Sequence, residues 1–160
     1  MKQDSIYKKL KGIRSQTLDR LNILSQYQLD ARPPSTDEEP SWSLGEVFMH
    51  IAMDEIYLRE LISRPLLEGI SPPVNIHFIP PPPPFETKKE VISFWLERAR
   101  TQTKEYLMNW PSNWNKDLKH EGGLEVMNAL EWLEGYAGHE AYHHIQIDAL
   151  IEWCTKKEIS

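Results

Sequence analysis

Three histidines offer the clearest chemistry in this chain: His50, and the pair His139 and His143. Residues four apart on an α-helix share a face, with Cβ atoms roughly 5–6 Å apart. Two such imidazoles can hold one metal ion at about 2.0–2.1 Å each. A third imidazole from a facing helix, here His50, would leave one coordination position open for water or substrate. Three protein ligands and an open position is the pattern of a catalytic rather than a structural metal site. Asp54 lies four residues after His50 and shares its face; it could accept an imidazole N–H or be a solvated acid. Trp132 and Tyr136 share a face with His139 and His143 and could line the mouth of a pocket, or simply be core. Glu140 is turned about 100° from His139 and reads as an exposed or interface residue.

Bland readings stand beside these. The chain holds six histidines, so an i, i+4 pair alone is weak evidence. His77 and His120 fall in expected loops, where solvation explains them. His144 could face core, solvent or a partner. The run His139-Glu140-Ala141-Tyr142-His143 also matches the zinc-protease motif His-Glu-x-x-His. The residues after His143 continue one helix, however, so a downstream third ligand has no separate element to come from. The single cysteine, Cys154, is about three turns or ~16 Å beyond His143 along the helix and reads as packing or surface. No intrachain disulfide is possible, which fits a reducing compartment.

The elements that must position these residues are helical. Ile6, Leu10, Ile13, Thr17, Leu21 and Leu24 recur at three- and four-residue spacing and predict a helix over 3–29. Arg32-Pro33-Pro34 ends it. Ser43 and Glu46 form a Ser-x-x-Glu capping box. They open a second helix to about residue 63, striped by Leu44, Val47, Phe48, Ile51, Leu58 and Ile62, with a restart near Pro65. Residues 71–85, with Pro72, Pro73 and Pro80 to Pro84, predict an extended connection. Thr87 and Glu90 suggest a second capping box, and a third helix to Asn109 with the stripe Val91, Phe94, Trp95, Ala99 and Tyr106. Residues 112–123 read as a loop, and Leu124 to Met127 is too short to count as a strand. Asn128 and Glu131 open a last helix to about Lys156. Gly135 and Gly138 within it imply a close helix crossing, pocket space or tolerated slack.

Four long helices without a convincing strand predict an all-α fold, a four-helix bundle with long crossover connections, as one domain over 1–160. The proline-rich connection is long enough to cross the bundle rather than join neighbours. Its PxxP pattern serves better as a stiff spacer than as a peptide ligand. With 40 % hydrophobic and 26 % charged residues the composition is that of an ordinary globular chain. No apolar run reaches the roughly 20 residues of a membrane span, and the N-terminal residues lack a signal-peptide pattern, so a cytoplasmic location is expected. A net charge of −6 argues against nucleic acid as a partner.

The order and spacing of Trp42-Ser43, of His50 followed by Glu55, and of His139-x-x-x-His143-His144-x-Gln146-Ile147 resemble the DinB/YfiT-like superfamily of metalloenzymes over nearly the whole chain. The resemblance implies a four-helix bundle in which His50, His139 and His143 bind a divalent metal, zinc or nickel, and a homodimer. It further implies metal-dependent transfer of a low-molecular-weight thiol to a small electrophilic substrate, since an imidazole-held ion can accept a thiolate. Two other readings stay open: a non-catalytic metal or small-ligand binding protein of a stress response, and a metal-dependent hydrolase.

Overall fold

The computed structural model describes residues 2–36, 41–68, 85–109, 119–122 and 125–159; side chains of residues 61–68, 119–129 and 159 are outside that description. Four long helices, α1 (Lys2–Asn22), α3 (Leu44–Glu68), α4 (Lys89–Met108) and α5 (Ala129–Ile159), carry the fold, with a short α2 (Gln26–Asp30). A two-stranded antiparallel hairpin, β1 (Lys119–Gly122) with β2 (Glu125–Asn128), leads directly into α5. The fold class is all-α, as the periodicity predicts. The hairpin escapes a sequence reading because four-residue strands offer too little period-2 pattern.

The first predicted helix is broken in two. Ser25 makes its own capping box with Gln28 and starts α2, so the chain turns after Asn22 instead of running on to residue 29. Leu24 and Leu29, on either side of the restart, are both buried. The Ser43–Glu46 box forms as predicted: the Glu46 N–H donates to Ser43 Oγ at 3.2 Å and the Ser43 N–H to Glu46 Oε1 at 3.4 Å. The described positions of the α3 stripe, from Leu44 to Leu58, are all buried. This helix passes through Pro65 without a restart, to Glu68.

The Thr87–Glu90 box does not form. Thr87 Oγ1 donates instead to Asp30 Oδ1 at 2.7 Å, and the Lys89 N–H is taken by Gln26 Oε1 at 3.0 Å, so α2 caps α4 from outside. Gly45 permits this seam. A Cβ there would lie 2.8 Å from Thr87 Cβ. The buried face of α4 is also turned from the predicted stripe: Ile92, Leu96, Ala99, Arg100, Thr103 and Leu107 face inward, and Phe94 is 54 % exposed. Arg100 and Thr103 hide the true stripe, because a charged residue ordinarily marks the outer face.

Helix directions follow from paired contacts. Lys9, Arg14, Thr17 and Arg20 of α1 meet Glu134, Glu140, His144 and Asp148 of α5 in ascending order, so α1 and α5 run parallel. Gly45 meets Thr87 and Arg59 meets Ala99, so α3 and α4 are parallel neighbours as well. Ile51 pairs with Tyr136 and His50 with His143, which makes α3 antiparallel to α5. The bundle is therefore up-down-down-up. α3 and α4 are neighbours in the bundle, where the sequence reading has their connection cross it. The expected extended connection over 71–85 lies, but for Phe85, outside the described residues.

Candidate metal centre

Near its N-terminal end, α3 presents His50 and, one turn on, Asp54; α5 presents His139 and His143 at its middle. Leu44, Val47, Phe48 and Ile51 anchor α3 in the core, and Leu133, Tyr136, Ala137 and Ile147 anchor α5. Ligand atoms of His50, Asp54, His139 and His143 all lie within 4.8 Å of one another. Asp54 Oδ2 is 2.7 Å from His50 Nε2 and 2.9 Å from His139 Nε2. His143 Nε2 is 3.2 Å from His139 Nε2. Three ring nitrogens and one carboxylate oxygen thus converge on one point.

Hydrogen bonding prepares this set for a cation. Gln146 Oε1, 3.0 Å from His143 Nδ1, accepts the ring proton there. That leaves His143 Nε2 with a lone pair facing the cluster. Burial lowers the His143 pKa, Gln146 partly offsets this, and the neighbouring His139 and His50 lower it further, so the ring is neutral at pH 7. Burial would raise the Asp54 pKa, but hydrogen bonds from His139 and His50 outweigh it and hold the carboxyl below its ordinary range. Two buried atoms here, His50 Nδ1 and Asp54 Oδ1, have no hydrogen-bond partner. Four atoms about 2.0–2.2 Å from one ion lie at most ~4.4 Å apart. The observed spread is within a few tenths of an ångström of that limit, and N₃O is a donor set that divalent transition metals accept. The residues present fit such an ion.

Asp54 thus accepts from the His50 and His139 rings and also lies within the group of atoms that could hold an ion. A cleft of about 490 Å³ opens onto His50 and His143, walled by Pro33, Pro34, Trp42, Gln146 and Leu150. The Trp42 ring stands edge-on to His50, 4.8 Å between centroids. Tyr136 sits elsewhere, buried beneath the cluster with its hydroxyl donating to the Ile51 carbonyl and its ring 5.7 Å from that of His139. Trp132 packs against the core cluster of Leu133 and Ala137. Trp42 is the wall residue that pocket reasoning from α5 alone misses, although it opens the α3 segment just before the capping box. Cys154 is buried in the core, and burial pushes its thiol pKa up.

Behind the cluster lies a second ionisable group. Glu140 is fully buried, not exposed or at an interface. Its Oε1 accepts from Arg14 Nε at 2.6 Å and its Oε2 from Arg100 Nη2 at 2.7 Å. Glu55 takes the other sides of the same two guanidinium groups, at 2.6 and 2.8 Å. The remaining donors reach backbone: Arg14 Nη1 to the Leu96 carbonyl of α4, and Arg100 Nη1 to the Leu10 carbonyl of α1. Thr17 Oγ1 donates to Glu140 at 2.6 Å and lies 2.7 Å from His144 Nε2. Two cations and two anions cancel, and the network ties α1, α3, α4 and α5 together. Sequence cannot show it, because Arg14 and Glu140 are 126 positions apart.

A profile of the DinB superfamily matches residues 9–147. With a helical bundle and a His/Asp cluster that could hold a metal ion, the chain belongs to the DinB superfamily. No curated protein and no solved structure matches it. Among the described residues, no helix is long and apolar enough to cross a membrane.

Proposed function

We propose that this protein binds one divalent ion, zinc or nickel, through His50, His139 and His143, with Asp54 beside them, and uses it for transfer chemistry between a small thiol and a small electrophile. The convergence of three Nε2 atoms, two of them from residues that line a cleft, carries this reading. An ion held there would supply Lewis acidity that lowers the pKa of a bound thiol. Gln146 keeps the His143 lone pair directed at the ion. Asp54, an anion below its ordinary pKa, offsets the cation's charge and offers Oδ1 as an acceptor for a substrate proton. Trp42 and Leu150 exclude water from one side of the cleft and offer an apolar surface to the electrophile. A cytoplasmic homodimer is part of the same proposal.

Elemental mass spectrometry on untagged protein tests the first step. About one ion per subunit is expected, with loss in His50→Ala, His139→Ala and His143→Ala. Wild-type protein that takes up no zinc, nickel or manganese would overturn the reading. Turnover that needs an added thiol separates transfer from hydrolysis. Stoichiometric binding without turnover would leave a sequestering protein instead. Hydrolysis has one observation in its favour, the unpartnered Asp54 Oδ1, a ready acceptor for a water proton.

A further inference from the structure

A neutral imidazole that gives Nε2 to an ion carries its proton on Nδ1, and that proton needs an acceptor. Carboxylates, carbonyls and waters ordinarily serve. His143 has Gln146 for this purpose. The His139 side chain is 44 % exposed, so bulk water can take its proton. His50 differs from both. Its side chain is only 12 % exposed, and its Nδ1 is buried with no partner among the described residues. The Trp42 ring, edge-on to it, brings no acceptor.

One helical turn earlier, Glu46 shows the complementary imbalance. The residue is buried, and its Oε1 accepts from the Ser43 N–H at 3.4 Å, from Ser43 Oγ at 3.1 Å and from Arg32 Nη2. Its Oε2 is buried too, and has no partner among the described residues. Capping therefore accounts for one carboxylate oxygen and leaves the other unexplained. Glu46, His50 and Asp54 follow at four-residue steps and share a face of α3. A buried oxygen short of a donor and a buried nitrogen short of an acceptor, one turn apart, each supply what the other requires. Arg32 fixes this carboxylate from the cleft side. Its Nη1 donates to the Ser41 carbonyl at 2.6 Å, and Ser41 and Trp42 both line the cleft.

We propose that Glu46 is a positioning residue for the ion. Its Oε2 takes the Nδ1 proton of His50 through one bridging water and keeps the His50 Nε2 lone pair directed at the cluster. The two atoms make no direct hydrogen bond in this structure, and a water bridge is enthalpically nearly as good as one. The inference rests on the metal reading above and gives Glu46 a task beyond its cap. Gln146 performs the same task for His143, so each ligand helix carries its own orienting side chain.

Zinc affinity, measured by competition with a chromophoric chelator, tests this beside urea unfolding. Glu46→Gln retains an oxygen for the Ser43 cap but loses the carboxylate, and is expected to weaken zinc binding about 10–100-fold. Ser43→Ala loses the capping hydroxyl but keeps the carboxylate, and is expected to lower the unfolding midpoint with zinc affinity unchanged. A purely structural Glu46 would instead lower the midpoint in both variants and zinc affinity in neither. Imidazole NMR of zinc-loaded wild type needs no variant: the His50 Nδ1–H is expected to be protected from exchange, as is that of His143. In Glu46→Gln the His50 protection should be lost and the His143 protection kept. Wild-type zinc affinity in Glu46→Gln, or a rapidly exchanging His50 Nδ1–H in wild type, would overturn this inference and leave the metal reading standing. A wild type that takes up no zinc would overturn both.

Discussion

Two clusters of ionisable side chains sit back to back and share α3 and α5. Asp54 and Glu55 are neighbours in sequence, as are His139 and Glu140, yet each pair is split between the clusters. A step of one residue turns a side chain by about 100°. That is enough to send Asp54 and His139 to the histidine cluster, and Glu55 and Glu140 to the bundle axis. The axial cluster is closed: both carboxylates have two guanidinium partners each, and the remaining Arg14 and Arg100 donors reach helix carbonyls. The cleft cluster is open, with crowded ring nitrogens and two buried atoms lacking partners. Buried polar groups are ordinarily satisfied, so the difference separates a structural network from a site awaiting a ligand.

The largest effect is expected from breaking the closed cluster. Glu140→Ala leaves Arg14 and Arg100 short of an anion in the core and should destabilise by about 3–5 kcal/mol, measured by urea unfolding. A loss under about 1 kcal/mol would mean that water reaches this cluster and that the contrast is false. His139→Ala should do the reverse, removing the ion while shifting metal-free stability by no more than about 1 kcal/mol, since the ring is partly exposed. The adjacent carboxylates give the sharpest version. Glu55→Gln should destabilise the fold with metal affinity per folded molecule retained, whereas Asp54→Asn should lower zinc affinity about 10–100-fold with little change in unfolding. Equal effects in both assays would merge the clusters into one.

Acidity should separate them next. The His143 pKa is lowered in the folded state, so the unfolded chain binds the proton more readily. Its contribution is present above about pH 6.5 and is lost as pH falls through the folded value. Glu140 is held below its ordinary range: burial opposes this, but Arg14 and Arg100 prevail. Its contribution is present above the usual carboxylate pKa and is lost only in stronger acid. Between pH 7 and 5, metal release and a modest loss of metal-free stability should therefore precede any loss of the axial network, as unfolding and metal titrations run in parallel would show. The smallest effect belongs to pairs outside both clusters. Lys9→Ala, at a half-exposed 3.8 Å contact with Glu134, should cost less than about 0.5 kcal/mol.

Much of the fold is legible in the residues alone. The α3 stripe and its Ser43–Glu46 cap are readable because apolar spacing and capping are local rules, acting over three or four residues. The same locality places His139 and His143 on one face. It fails where a partner from another element intervenes. Thr87 abandons its own helix for Asp30, Ser25 restarts a helix that apolar spacing alone would continue, and Phe94 loses its inward place to Ile92 and Leu96. Glu140 is misplaced for the same reason: charge alone predicts exposure, and only Arg14 and Arg100 make burial tolerable.

By itself the sequence determined helices, the apolar faces of α1 and α3 and the pairing of His139 with His143, since each follows from a period of 3.6 residues. Tertiary structure decided that α3 and α5 run antiparallel so that His50 meets His143, that Asp54 stands among the imidazoles, and which carboxylates are sealed by arginine. Those outcomes depend on helix direction and rotation about the axis, which only the packing of all four helices fixes.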